Sequence, residues 1–187
     1  AVTYYHLTLS GATSAKTMTG VTTVTGNFSM SGSATATTPL TTVGGNFNVG
    51  GTATATLGAN VAISGDLSVS GGTLALSTFT ANRATPGGTL TVTSGATISI
   101  GGTNSIPTNY STHSIDAAST INYSGTSQTI SNTPNYGHLT LSGSGTKTFP
   151  AGTTYIAGNF VSGTETSDMT TNNSTIEFNG SGLRFSL

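Results

Sequence analysis

Three stretches decide the fold: Gly26-Asn-Phe-Ser-Met-Ser-Gly32, Gly45-Asn-Phe-Asn-Val-Gly50 and Gly65-Asp-Leu-Ser-Val-Ser-Gly71. Each opens on Gly and Asn or Asp, alternates apolar with polar residues, and closes on Gly. Period-two alternation marks a strand with one buried face. The three openings stand 19 and 20 residues apart, and two further short runs fit between them, such as Ala34-Thr-Ala-Thr and Leu40-Thr-Thr-Val. Three strands and three corners in about 20 residues make one coil of a parallel β-solenoid. Ordinary hairpins do not fit this rhythm. No Asn-Gly or Asp-Gly turn joins two of the runs, and the one Asn-Gly lies at 179–180.

The expectation is therefore all-β: a right-handed parallel β-solenoid over residues 1–187 as a single domain, roughly nine coils long at ~4.8 Å per coil. Stacked coils place Phe28, Phe47 and Leu67 in one inward ladder and Met30, Val49 and Val69 in a second. Asn27, Asn46 and Asp66 line a corner, where such side chains hydrogen-bond the turn backbone. Glycines are expected to supply the positive φ at corners. Residues 77–88 and 102–118 break the rhythm with Arg83, Pro86, Pro107, His113 and Asp116, and are expected to protrude as loop insertions.

Composition excludes whole classes. Only 5% of the 187 residues are charged, against roughly 25% in an average soluble protein. Four cations against five anions cannot form the basic stripe that nucleic acid requires. No run of 18 apolar residues exists, so no helical transmembrane segment is expected. With no Cys, disulfides and Cys-ligated metals are excluded. With 41 Thr and 25 Ser, the surface is expected to be uncharged and hydroxyl-rich, which suits an extracellular or cell-surface setting.

A longer repeat overlies the short one. Ser119-Thr-Ile-Asn-Tyr-Ser-Gly125 matches Ser174-Thr-Ile-Glu-Phe-Asn-Gly180, 55 residues on. Thr3-Tyr-Tyr-His-Leu-Thr-Leu-Ser-Gly11 matches Asn135-Tyr-Gly-His-Leu-Thr-Leu-Ser-Gly143, and past one inserted residue the match continues as Lys16-Thr-Met against Lys147-Thr-Phe and on to the Gly-Asn-Phe of 26–28 and 158–160. Placing residue 1 after residue 187 sets His138 and the next His6 55 apart, the same spacing as Ile121 and Ile176. Head-to-tail polymerisation follows as an expectation, with the final strand completing a coil at the junction. Ile176, Phe178, Leu183, Phe185 and Leu187 are expected to meet Val2, Tyr4, Tyr5, Leu7 and Leu9 of the next copy. Such a heterologous contact propagates as an open fibre.

The string Tyr-x-His-Leu-Thr-Leu-Ser-Gly, then Lys-Thr-apolar, Gly-Asn-Phe and Ser-Thr-Ile-x-Phe-x-Gly resembles repeats of large secreted or surface-displayed bacterial β-solenoid proteins of adhesin or filament type. The resemblance covers 1–32 and 119–182 well and the middle by pattern alone. It implies an extracellular scaffold or adhesive stalk, contacts with surface glycans among its roles, and brings no catalytic residues.

Other chemistry is thinly supported. Enzymatic solenoids need carboxylates clustered in a groove, whereas Asp66 and Asp116 are far apart and Glu165 and Asp168 share the polar loop Gly163-Thr-Glu-Thr-Ser-Asp168. That loop offers oxygens for a weak Ca²⁺ site, outweighed by its reading as a solvated loop. His6 and His138 occupy equivalent corners, and His113, three residues before Asp116, has no nucleophile elbow beside it. No cofactor, no metal and no enzymatic activity are expected. The alternative to a filament is an ice-binding or carbohydrate-adhesive module. It rests on Thr35-Ala-Thr37 and Thr52-Ala-Thr-Ala-Thr56, one coil apart, with the array expected to stop at Leu74-Ala-Leu76.

Overall fold

The computed structural model describes residues 2–12, 15–181 and, for the backbone alone, 185–186. Its first turn is β1 (Val2–Tyr4), β2 (Leu7–Leu9) and β3 (Ala15–Lys16). Three turns follow: β4 (Val21–Val24), β5 (Phe28–Met30) and β6 (Thr35–Thr38); β7 (Thr42–Val43), β8 (Phe47–Val49) and β9 (Thr54–Leu57); β10 (Val61–Ile63), β11 (Leu67–Val69) and β12 (Thr73–Ala75). Next come β13 (Ala81–Arg83), β14 (Gly87–Val92) and β15 (Thr97–Ile100), then β16 (Tyr110–Ile115) and β17 (Thr120–Tyr123). The last turns are β18 (Gln128–Thr129) and β19 (His138–Leu141); β20 (Thr146–Thr148), β21 (Gly152–Ile156) and β22 (Phe160–Ser162); β23 (Thr166–Asp168), β24 (Ser174–Phe178) and β25 (Phe185–Ser186). Among the described residues there is no helix. Strands pair in parallel with strands of the turns above and below, giving a β-solenoid of about nine turns.

Three faces are visited in turn. Sheet A stacks β1, β4, β7, β10 and β13; sheet B stacks β2, β5, β8, β11, β14 and β16; sheet C runs unbroken through nine strands from β3 to β25. From β18 onward sheet D (β18, β20, β23) and sheet E (β21, β24) take the places of A and B in the visiting order. Tyr136, bridged to Ile156, extends sheet E by one residue.

The core is a set of inward files. Leu7, Phe28, Phe47, Leu67 and Leu90 lie in register on sheet B, and Leu9, Met30, Val49, Val69 and Val92 lie beside them. Phe28, Phe47, Leu67, Met30, Val49 and Val69 are buried, and the Phe28 and Phe47 rings stack with centroids 4.8 Å apart.

The Gly-Asn dipeptide has a specific cause. Asn27 Oδ1 accepts the backbone N–H of Asn46 at 2.9 Å, Asn46 Oδ1 accepts that of Asp66 at 2.9 Å, and Asp66 Oδ1 accepts that of Thr89 at 2.8 Å. His6 Nδ1 starts this file by accepting the N–H of Asn27, and His138 Nδ1 does the same for Asn159, both at 2.8 Å. Each side chain therefore closes an otherwise open donor one turn above. It lies directly against the preceding glycine of that turn: a Cβ on Gly45 would stand 2.2 Å from Asn27 Oδ1, and one on Gly65 2.2 Å from Asn46 Oδ1. These glycines are required for space. Other glycines, Gly32, Gly51 and Gly72 at φ near +65° among them, turn a corner in the left-handed region.

The stretches expected to protrude belong in large part to the solenoid. Residues 77–88 contain β13 and the start of β14, and 102–118 contain β16. The step up sheet C grows from 19 residues (Ala36 to Ala55) to 24 (Leu74 to Ile98) and 23 (Ile98 to Ile121). The surplus lengthens β14 and β16 to six residues each, so more backbone pairs rather than looping out. The corners there are tied down by Arg83 N–H to Thr108 O and Gly87 N–H to Asn109 O, both at 3.1 Å.

Candidate assembly interface

Every strand of the first turn is the outermost strand of its sheet: β1 of A, β2 of B, β3 of C. The same holds at the other end for β23 of D, β24 of E and β25 of C. Each end thus presents three rows of main-chain donors and acceptors, the template on which another strand pairs. Among the described residues, interior turns are covered above and below, whereas these are covered on one side only. The inward files accordingly surface there.

Val2, Tyr4 and Tyr5 are exposed, Tyr5 at 73%, while Leu7 and Leu9 are half-buried against Phe28 and Met30. Tyr5 packs its ring edgewise on His6 at 4.4 Å. At the opposite end Ile176 and Phe178 are half-buried on β24, paired with Thr154 and Ile156. Phe185 pairs through its backbone with Phe160. Leu183 and Leu187 lie outside the described residues. The chain gathers the first group at one end of the stack and the second at the other.

The interior holds a covered version of both ends. Strand β17 pairs with β19 in the register Thr120↔His138, Ile121↔Leu139, Asn122↔Thr140 and Tyr123↔Leu141. Ser142 Oγ donates to Asn122 Oδ1 at 2.9 Å across that pair. Tyr123 and Tyr136, both fully buried, share a hydroxyl bond of 2.9 Å, and Tyr136 also donates to Ser131 O at 2.7 Å. Burial pushes both phenols above their ordinary value.

Lys147 is the least expected core residue. It is fully buried, with Nζ donating to Gly125 O at 2.8 Å, Gln128 Oε1 at 2.8 Å and Thr126 O. Burial lowers its pKa, and Glu165 partly opposes that. Composition gives no hint of this cage, but alternation does: Lys147 has the same parity as inward Phe149.

Other candidates disperse. Burial tends to raise the Glu165 carboxyl, but bonds from Ser162 Oγ (2.8 Å) and Gly163 N–H (2.9 Å), with Lys147 nearby, outweigh it and hold the group below its usual value. Asp168 is held down to about 2 by hydroxyl and N–H bonds from Thr171 and Thr170. Asp116 closes a local turn on the N–H of Ala118 at 2.9 Å. His113 follows Leu90 in the sheet B file, its Nε2 buried without a partner and its pKa lowered by burial. Among the described residues no three His, Asp or Glu side chains converge as metal ligands, and no helix is long and apolar enough to cross a membrane.

The threonine array is longer than alternation alone implied. Leu74 faces inward beside Ala55, and Thr73 takes the outward place, so Thr35, Thr54, Thr73, Thr97 and Thr120 form one file on sheet C. A parallel file breaks at Ala75, above Thr37 and Thr56. Against known proteins, the chain matches no family model, no curated protein and no solved structure.

Proposed function

We propose that the chain is a structural subunit of an extracellular filament, polymerising head to tail by end-to-end stacking of β-solenoids. The observation that carries this reading is that all three strands of the first and last turns are sheet edges, with apolar files opening onto them. Burying one large apolar side chain stabilises an interface by roughly 1.5–3 kcal/mol, and strand pairing at three edges adds direction. The sparse charge of the chain leaves little to repel a second copy. Nine turns at ~4.8 Å give an axial repeat of about 43 Å per subunit. Sedimentation and negative-stain microscopy over a concentration series test this. Fibres with that repeat are expected; a chain that stays monomeric at high concentration refutes it.

A second reading is a binding module for ice or carbohydrate, favoured by the five-membered threonine file at ~4.8 Å spacing. Thermal hysteresis or glycan binding that disappears in Thr54→Tyr/Thr73→Tyr would support it over the filament.

A further inference from the structure

The two copies of the long repeat share their contacts as well as their sequence. Leu7 pairs with Phe28 as Leu139 pairs with Phe160, and Tyr4 pairs with Val24 as Tyr136 bridges to Ile156. His6 accepts from Asn27 as His138 accepts from Asn159. One side alone differs. Below His138-Leu-Thr-Leu lies β17; below His6-Leu-Thr-Leu no strand of this chain is paired among the described residues. Conversely β17, Ser119-Thr-Ile-Asn-Tyr in sequence, carries β19 above it, while its repeat Ser174-Thr-Ile-Glu-Phe on β24 carries no paired strand above it among the described residues. Each open strand is the repeat of one member of a pair that the fold already makes.

Resting on the filament reading, we infer the register of the junction: β24 of one copy pairs with β2 of the next as Thr175↔His6, Ile176↔Leu7, Glu177↔Thr8 and Phe178↔Leu9, and Lys16 of the next copy latches onto the carbonyls of Gly180 and Ser181. The strand register is that of β17 on β19. The latch is the repeat of Lys147 on Gly125 and Thr126. Lys16 is half-buried on β3, in register with the buried Ala36. Gly180 stands in the same confined place as Gly125: a Cβ on either would overlap a carbonyl oxygen one turn below, Ala157 O and Gly102 O respectively. Ser10 of the next copy reaches the Glu177 carboxylate as Ser142 reaches Asn122. In sequence the counterpart of Gln128 is Leu183, so Lys16 keeps the two main-chain acceptors and loses the amide one.

This arrangement differs from a generic sticky end in fixing one register out of many. A parallel pair slipped by two residues buries the same kinds of side chain, so burial does not choose between registers. The latch and the Ser10–Glu177 bond do.

The chain has no cysteine, so a pair introduced at the junction reports register without interference. In Thr8→Cys/Glu177→Cys the two Cα atoms of adjacent copies fall within disulfide range, whereas in Ser10→Cys/Glu177→Cys they are displaced by about 6.6 Å along the strand. Mild oxidation of the polymer should give a covalent ladder on a non-reducing gel for the first variant and at least about 10-fold less for the second. Lys16→Met should raise the concentration for half-maximal polymer about 10-fold or more, the loss of hydrogen bonds from a charged donor, and Lys16→Arg should restore part of it. Fibres of the unmodified chain with a ladder from the shifted pair, or from neither pair, overturn the register and leave the filament reading standing. An unmodified chain that forms no fibres overturns both.

Discussion

Gly45→Ala isolates the interlock between the glycine of one turn and the asparagine below it. The added Cβ would lie 2.2 Å from Asn27 Oδ1, 2.9 Å from Gly26 C and 3.0 Å from Gly26 O. The main-chain atoms belong to the turn underneath and cannot retreat, so the Asn27 side chain must leave. Its departure strips the Asn46 N–H of an acceptor now held at 2.9 Å. An orphaned donor costs about 1–3 kcal/mol, and forcing a methyl into a packed site costs about 1–3 kcal/mol more. The sum centres near 4 kcal/mol, which at ~2–4 °C per kcal/mol for a chain of this size lowers Tm by about 8–16 °C. Gly95→Ala is the contrast: its φ is +74° and nothing lies within 4 Å of the new Cβ, so backbone strain alone of ~1–2 kcal/mol is expected. Thermal and urea unfolding followed by far-UV circular dichroism measure both. Asn27→Ala combined with Gly45→Ala should cost less than the two single changes added, because the lost acceptor is counted twice in the sum. Strict additivity, or a Gly45→Ala no worse than Gly95→Ala, would falsify the interlock.

Phe47→Ala, at a fully buried place between Phe28 and Leu67, should cost about 3–5 kcal/mol by urea unfolding, and Phe47→Leu under half of that. Acid should unfold the chain in a defined window. The folded Glu165 and Asp168 carboxyls are depressed, Asp168 to about 2, so their contribution is present above the unfolded value near 4 and is lost as pH falls towards 2. Melting between pH 5 and 2 should show a shallower fall in Asp168→Asn, and an identical fall would sink that assignment. At the alkaline end burial raises the Tyr110, Tyr123 and Tyr136 phenols, so the stability they contribute is present below pH ~10 and lost as pH rises beyond it. Tyr123→Phe should blunt that loss in the same melting series.

The solenoid and its inward files were legible because period-two alternation reports which face is buried, and a 20-residue repeat reports what stacks on what. Phe28 over Phe47 over Leu67 needs no further information. The middle was harder for a physical reason. Extra residues in a turn can leave the stack or extend its strands, and composition does not separate the two; Arg83 and His113, polar and unlike their neighbours, suggested departure, yet both occupy strand positions. The threonine file was underestimated because its continuation depends on register: Leu74 alone reads as an interruption until Thr73 is seen to hold the outward place. Lys147 was missed because a lone cation is ordinarily a surface residue, and carbonyls from a turn 22 residues earlier are invisible in any local window.

Sheets A and B stop at β13 and β16, while sheet C passes the same level through β15, β17 and β19 without a break. Under tension along the axis, a turn in the first half is held by three parallel rows of hydrogen bonds, whereas at this level the main-chain sheet that bridges is one. A rod pulled from its two ends should therefore yield at a single internal position before it frays at either tip. In a force-extension trace the first rip should divide the molecule near residues 101–137, into an N-terminal piece of five to six turns and a shorter C-terminal one, each still wound.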